Sequence, residues 1–208
     1  MSQQAHKYHE AETKSEGEKR RRGRPRSQTS KKSVLDATNR LLLHSSVQDL
    51  SIEGIAKKAG VGKTTIYRWW PNKVAIVLDA LVSQMGNITP LPTTASKAEA
   101  VEKQLERFIR LLKGKNGKIV IEAMAEAQSD EESLTVFYER FMLQHEKILA
   151  DLIEAGKLSG EFRKDLDTSL AVDMIYGSIV YRLMSGAETL DDTFTKNMPV
   201  EALFILKA

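Results

Sequence analysis

Between Leu50 and Lys73 the chain reads LSIEGIAKKAGVGKTTIYRWWPNK, and Lys63, Thr64, Thr65, Tyr67, Arg68 and Trp69 crowd into one short stretch of it. These side chains are hydrogen-bond donors, cations and rings, with no acid/base pair or metal set among them. Arginine pairs bidentately with guanine, and a threonine methyl can touch the thymine methyl. Thr64 and Arg68 are therefore the candidates for reading bases. A solvated helix face accounts for Lys, Thr and Arg but gives no reason for an exposed Tyr and Trp, so the pattern points to nucleic acid. The stretch also contains a decoy. GVGKTT mimics the end of a phosphate-binding loop, which requires G-x-x-x-x-G-K-[ST] after a strand. The position five before Gly62 is Lys57, not glycine, and the preceding segment is helix-patterned. Nucleotide binding is not expected.

Two short helices must position these residues. Ser51 is a good N-cap, and Ile52, Ile55, Ala56 and Ala59 follow at helical spacing. Gly60 can take the left-handed conformation that ends a helix, and Val61 then turns back to the core. A second helix from about Lys63 to Trp70 buries Ile66 and Trp70, four apart, and Pro71 stops it. A third apolar run spans Val74 to Met85. This is the layout of a helix-turn-helix whose second helix docks in the major groove.

As an ordered set, residues 23–85 resemble the DNA-binding region of the tetracycline-repressor (TetR) family of transcriptional regulators. The resemblance is carried by Ala37, Leu41, Ser51, Ile55, Ala56, Ala59, Gly60, Val61, Lys63, Thr65, Ile66, Tyr67, Trp70, Pro71, Lys73 and Leu78. The Trp69-Trp70 pair and Gly62 depart from it, where smaller aromatics and a serine-type cap are more usual. The resemblance implies phosphate contacts from Tyr67 and Lys73 with support from Thr65, and it adds Ser51 to the DNA-binding set. It also implies a ligand pocket among the C-terminal helices and a dimer interface built from the last two helices of each subunit.

The net charge of +3 hides an asymmetry: residues 1–86 carry 16 Lys and Arg against 8 Asp and Glu, and residues 87–208 carry 15 against 20. A basic end on an acidic remainder suggests that this end meets a polyanion. Residues 1–26 are expected to be a disordered basic arm. Its KRRRGRPR run, Lys19 to Arg26, could be a solubilising tail. Beside a helix-turn-helix, the favoured reading is an extended arm that places Arg24 and Arg26 in the minor groove. Residues 27–86 form the DNA-binding domain, 87–95 (NITPLPTTA) a linker, and 87–208 together a helical ligand-binding and dimerisation domain. The chain lacks cysteine, a signal-peptide core and any apolar run of membrane length, which fits a cytoplasmic protein.

No window alternates like a strand, so an all-α fold is expected. The first helix is read as Lys31 to His44. Capping boxes are read at Ser96–Glu99 and Ser129–Glu132, the second opening a long helix to about Ala155 with Leu134, Phe137, Phe141, Ile148 and Leu152 on its inner face. A helix at Thr168–Ser185 is apolar around most of its circumference and needs two partners. Ile175, Ile179, Val180 and Leu183 are its expected dimer contacts. The last helix holds Pro199, which should kink or split it. Candidate ligand contacts are Phe108, Leu112, Met124, Phe137, Phe141 and Met174, with Arg140, Tyr176 and Glu122 as orienting polar groups; each also reads as plain core. Aromatics with several methionines suit an apolar or aromatic small molecule. His145 reads as a solvated helix position, and no histidine has metal-site spacing. No metal, cofactor or catalytic residue is expected.

The combined expectation is a homodimeric regulator that binds a pseudopalindromic DNA operator and is released by a small-molecule inducer. A ligand-free architectural DNA binder and a small-molecule enzyme built on the C-terminal helices are the rivals.

Overall fold

The structure, a computed structural model, describes residues 24–85, 96–186 and 190–207, with only the backbone of residues 24–27 and 85. All regular elements among them are helical. They are α1 (Arg24–Leu42), α2 (Ile52–Ala59), α3 (Lys63–Tyr67), α4 (Lys73–Met85), α5 (Lys97–Leu111), α6 (Lys115–Ala127), α7 (Glu131–Phe137), a π turn (Tyr138–Met142), α8 (Leu143–Ser159), α9 (Thr168–Ser185) and α10 (Asp192–Leu206).

The helix ends follow from local chemistry. Ser51 accepts the Gly54 amide to cap α2, and Gly60 at φ 69° closes it, its N–H turned back to Ala56 and Lys57. Ser96 accepts the Glu99 amide to cap α5. Asp167 and Asp191 cap α9 and α10 in the same way. Three expectations are corrected. α1 begins at Arg24, so residues 24–26 are helical rather than part of an extended arm. Pro25 lies in the first turn, where its missing N–H leaves no bond unmade. The cap of α7 is Asp130, which accepts the Ser133 amide, and not Ser129. Pro199 does not split α10, which is continuous from Asp192 to Leu206. The expected arm before residue 24 and the linker at 87–95 lie outside the described residues.

Two apolar clusters hold the fold together. The smaller joins Val34 of α1, Ile55 and Ala56 of α2, Ile66 and Trp70 around α3, and Ala75 and Ile76 of α4. The larger runs through α5–α10 and also takes Val74, Val77, Leu78 and Leu81 from the other side of α4. α4 thus has two buried faces and belongs to both domains, packing on α1 and also on α6, α7 and the π turn.

The π turn changes the inner face of the long helix. One extra residue per turn brings positions four apart into register. The buried line is Phe137, Phe141, Leu149 and Ile153, with His145 between them, rather than Leu134, Phe137, Phe141, Ile148 and Leu152. Leu134 is exposed, and Ile148 and Leu152 are half-buried. The register is completed at Gly156, where an added Cβ would overlap the Phe162 ring.

Candidate nucleic-acid interface

α3 is one and a half turns long, and its position rests on what it buries. Ile66 and Trp70 are fully buried. The amides of Trp69 and Trp70 donate to the Ile66 carbonyl at 2.9 and 3.0 Å, carrying the helical turn past Tyr67. With that face fixed, Lys63, Thr64, Tyr67 and Arg68 are exposed together, Tyr67 at 54%. Thr65 and Trp69 are half-buried at the margin. The Lys31 ammonium lies 5.4 Å from the Trp69 ring centre, a cation–π distance that ties α1 to the end of α3.

The chemistry of this face is cationic and hydrogen-bonding, with one acid among it. Lys63 Nζ donates to Glu53 Oε1 of α2 at 2.8 Å. That bond holds the Glu53 carboxyl below its ordinary value and the Lys63 ammonium above its own. Both side chains are open to solvent, so the pair adds little stability. Its consequence is that Lys63 is partly neutralised before any polyanion arrives. The contact spans ten residues across a turn, outside the i, i+4 spacing that reveals helix pairs in a sequence.

Two other expected contacts are engaged elsewhere. Lys73 has a side chain only 16% exposed, and its ammonium sits 2.8 Å from Glu126 of α6 and 3.4 Å from the Gln48 carbonyl. It is turned to the domain junction and does not stand with the α3 cations. Ser51 is exposed, but its oxygen is occupied by the Gly54 amide at 3.1 Å. Of Arg24 and Arg26 only the helical backbone is described.

The recognition element is also bonded to the C-terminal domain. Trp70 Nε1–H donates to Asp79 Oδ2 at 2.8 Å, and Arg140 Nη1 of the π turn donates to Asp79 Oδ1 at 2.7 Å. Asn72 donates to Ser133 Oγ at 3.1 Å, and the Val47 amide to Glu122 Oε2 at 2.8 Å. Arg140 and Glu122, expected to orient a ligand, are instead domain-junction residues.

The expected ligand residues divide. Phe108, Phe137, Phe141 and Tyr176 form one buried aromatic cluster, with ring centres 4.7 Å apart for Phe108–Tyr176 and 6.3 Å for Phe108–Phe141. Leu112 is buried in the same core and Met124 half-buried against it. Met174 is 53% exposed on the opposite face of α9 and takes no part. Sequence reasoning missed two members. His145 is not on a solvated face: its ring lies 4.8 Å from Phe108 and 5.5 Å from Phe141, with Nδ1 buried and unpartnered. Burial pushes its pKa down to about 4. Gln104 is buried beside Tyr176. The Tyr176 hydroxyl donates to the His145 carbonyl at 3.0 Å, and burial raises its pKa. A periodicity that allows for the π turn would have placed His145 in this line.

α9 presents its faces differently from expectation. Ile175 and Ile179 are fully buried in the subunit's own core, and Val180 and Leu183 are half-buried. The exposed apolar residues are Leu170, Met174, Tyr181 and Met184, with Gly177 and Ser178 between them, and Val200 and Phe204 on α10. The spacing 170, 174, 177, 181, 184 is one helical stripe.

No helix among the described residues is long and apolar enough to cross a membrane, and no group of three or more potential metal ligands occurs among them. Residues 34–80 match the model for bacterial regulatory proteins of the tetR family, and residues 91–199 the tetracyclin repressor-like C-terminal domain. The uncharacterized HTH-type transcriptional regulator YdeS of Bacillus subtilis is 31% identical over 88% of this chain and 92% of its own. The fatty acid metabolism regulator protein of the same organism is 26% identical, over 70% and 77%. The crystal structure of the TetR family transcription regulator SCO0332 superposes with a TM-score of 0.69 at 28% identity, covering 86% of this chain and 99% of that one. FadR from Bacillus subtilis, solved with stearoyl-CoA, shares the fold at a TM-score of 0.63 and 23% identity, over 83% and 97%.

Proposed function

Because the chain belongs to the tetR family of bacterial regulatory proteins, and is thus a DNA-binding helix-turn-helix transcriptional regulator, we propose that it is a homodimeric repressor released by a small-molecule inducer. The observation that carries its DNA reading is the joint exposure of Lys63, Thr64, Tyr67 and Arg68 around the fixed Ile66–Trp70 anchor. Thr64 and Arg68 read base edges in the major groove. Lys63 and Tyr67 hold phosphates, with Thr65, Trp69 and the Ser51 end of α2 flanking them. The basic run at Lys19–Arg26 adds electrostatic affinity. It acts in the cytoplasm, where its operator is.

The dimer forms on the outer stripe of α9 with α10. Monomeric proteins rarely leave contiguous apolar patches of this kind open. Gly177 and Ser178 let two backbones approach. Pairing places two recognition helices about one helical turn of DNA apart, roughly 34–36 Å, to read a pseudopalindrome. The inducer is apolar or aromatic and is received by the cluster of Phe108, Phe137, Phe141 and Tyr176. Support comes from that cluster, from a relative named for fatty acid metabolism, and from a fold neighbour of the same organism solved with stearoyl-CoA. The inducer favours a dimer whose recognition helices are spaced wrongly for DNA, which is a coupling between two sites.

Arg68→Ala tests the reading. Specific affinity should fall by ~1–3 kcal/mol with preference relaxed at one base position per half-site, while random duplex is little affected. Equal loss on both duplexes would leave Arg68 a phosphate contact only.

A further inference from the structure

The Trp70–Asp79–Arg140 chain joins three elements: the end of the recognition turn, the middle of α4, and the π turn of the C-terminal domain. Asp79 uses both carboxylate oxygens, one for the Trp70 indole at 2.8 Å and one for Arg140 at 2.7 Å. The carboxylate is three-quarters buried, so each donor limits where it can turn for the other. Trp70 in turn stacks its ring in the same cluster as Ile66, the residue that sets the roll of α3. Val136, one turn before Arg140, packs on that cluster from the C-terminal side.

The second half lies in the π turn. Arg140 and Phe141 are adjacent in sequence and serve opposite sides. Arg140 reaches α4, while Phe141 is buried against Phe137, with its ring 5.8 Å away, and against His145 at 5.5 Å. A π turn is a local insertion in a helical ladder and is often found at functional sites. Relaxing it by one residue would turn Arg140 away from Asp79 and Phe141 out of the aromatic line together.

We propose that Arg140 is a positioning residue for DNA reading: it fixes Trp70 through Asp79, and the π turn makes that fix depend on how Phe141 packs. Arg140 lies in the C-terminal domain and acts on DNA only through the recognition turn. The proposal rests on the DNA-reading face described above for its affinity readout, and on the hydrogen-bond chain alone for its spectroscopic one.

The test uses full-length 15N-labelled protein. The two indole N–H resonances are told apart with Trp69→Phe, and a duplex enriched by the wild type from a random-sequence pool serves as operator. Arg140→Met should move the Trp70 indole resonance and speed its solvent exchange. It should weaken operator binding about tenfold, within the 5–150-fold range of typical site-to-site couplings, and leave random-duplex binding unchanged. Arg140→Lys, which still offers Asp79 a cationic donor, should restore much of both. Asp79→Asn keeps an acceptor for the indole but drops the ion pair, and should reproduce Arg140→Met even if that variant does not fold. Phe141→Leu should shift the same indole resonance. An unmoved Trp70 resonance in both Arg140→Met and Asp79→Asn overturns the proposal, and so does a moved resonance with unchanged operator affinity. If no duplex is enriched at all, the DNA-reading face is what fails, and the indole resonance alone decides the positioning chain.

Discussion

α2 and α3 each carry one apolar stripe, whereas α9 in the C-terminal domain carries two. α2 and α3 bury Ile55, Ala56 and Ile66 against α1 and α4 and leave the opposite faces polar. α9 buries Ala171, Val172, Ile175, Tyr176 and Ile179 inside its own subunit and still exposes Leu170, Met174, Tyr181 and Met184. Apolar character names the buried face only where there is one such face. Where a helix is apolar all round, the sequence announces a second partner without saying which stripe it takes.

The largest effect separates the two stripes of α9. Ile179→Asp places a charge in the subunit core and should cost roughly 3–5 kcal/mol, enough to unfold much of the population of a marginally stable chain. Tyr181→Asp, at a residue 73% exposed, should leave thermal stability at low protein concentration nearly unchanged while producing monomers. Calorimetry and sedimentation on both variants distinguish them. A folded Ile179→Asp monomer would return the interface to the inner stripe.

Acid titration sharpens the contrast between the aromatic cluster and the open α3 face. His145 is held at about 4 in the fold, against about 6.5 when unfolded. Below pH ~6.5 the unfolded chain binds a proton that the folded chain refuses, so stability is present above that value and is lost as pH falls toward 4. The full loss from this group is about 3 kcal/mol. His145→Phe should remove that part of the slope in urea titrations at stepped pH. An unchanged slope would mean that the imidazole is solvated.

Much of the N-terminal architecture was legible because caps, turn glycine and a single apolar stripe agree along α2, the turn and α3. Ile66 and Trp70 read as core and are core. The helices of the C-terminal domain were legible as elements, down to Thr168 and Ser185 at the ends of α9, where the cap was open between Asp165 and Asp167 and the structure uses Asp167. Three things were not. The π turn moved the inner face of the long helix, since simple helical spacing carries no sign of an inserted residue. The domain junction drew in Lys73, Glu122 and Arg140 through contacts 53 to 75 residues apart in sequence. And α1 ran back through Pro25, which is as compatible with a first turn as with an extended arm.

Gly156→Ala probes the register that the π turn sets. The added methyl would overlap the Phe162 ring, and because Phe162 is itself buried the cost should be ~1–3 kcal/mol. The same exchange at Gly177, where a Cβ meets no atom within 4 Å, should leave the monomer's stability unharmed and weaken dimerisation instead. Paired melts at low and high protein concentration measure both.

The smallest effect is at the α3 face. Glu53→Gln releases Lys63 from its 2.8 Å ion pair. Random-duplex binding should tighten a few-fold, and the slope of log K against log salt should steepen by up to about 0.9, the value for one added phosphate contact. An unchanged slope would show that Lys63 does not reach phosphate.

Dimeric operator reading is tested most directly by selection of duplexes by the full-length protein from a random-sequence pool, read by sequencing after several rounds. A dimeric operator reader enriches a pseudopalindrome with half-site centres one helical turn apart, about 10–10.5 base pairs, and the Tyr181→Asp variant enriches none. Enrichment of a single half-site by the wild type, or of no sequence at all, would contradict it.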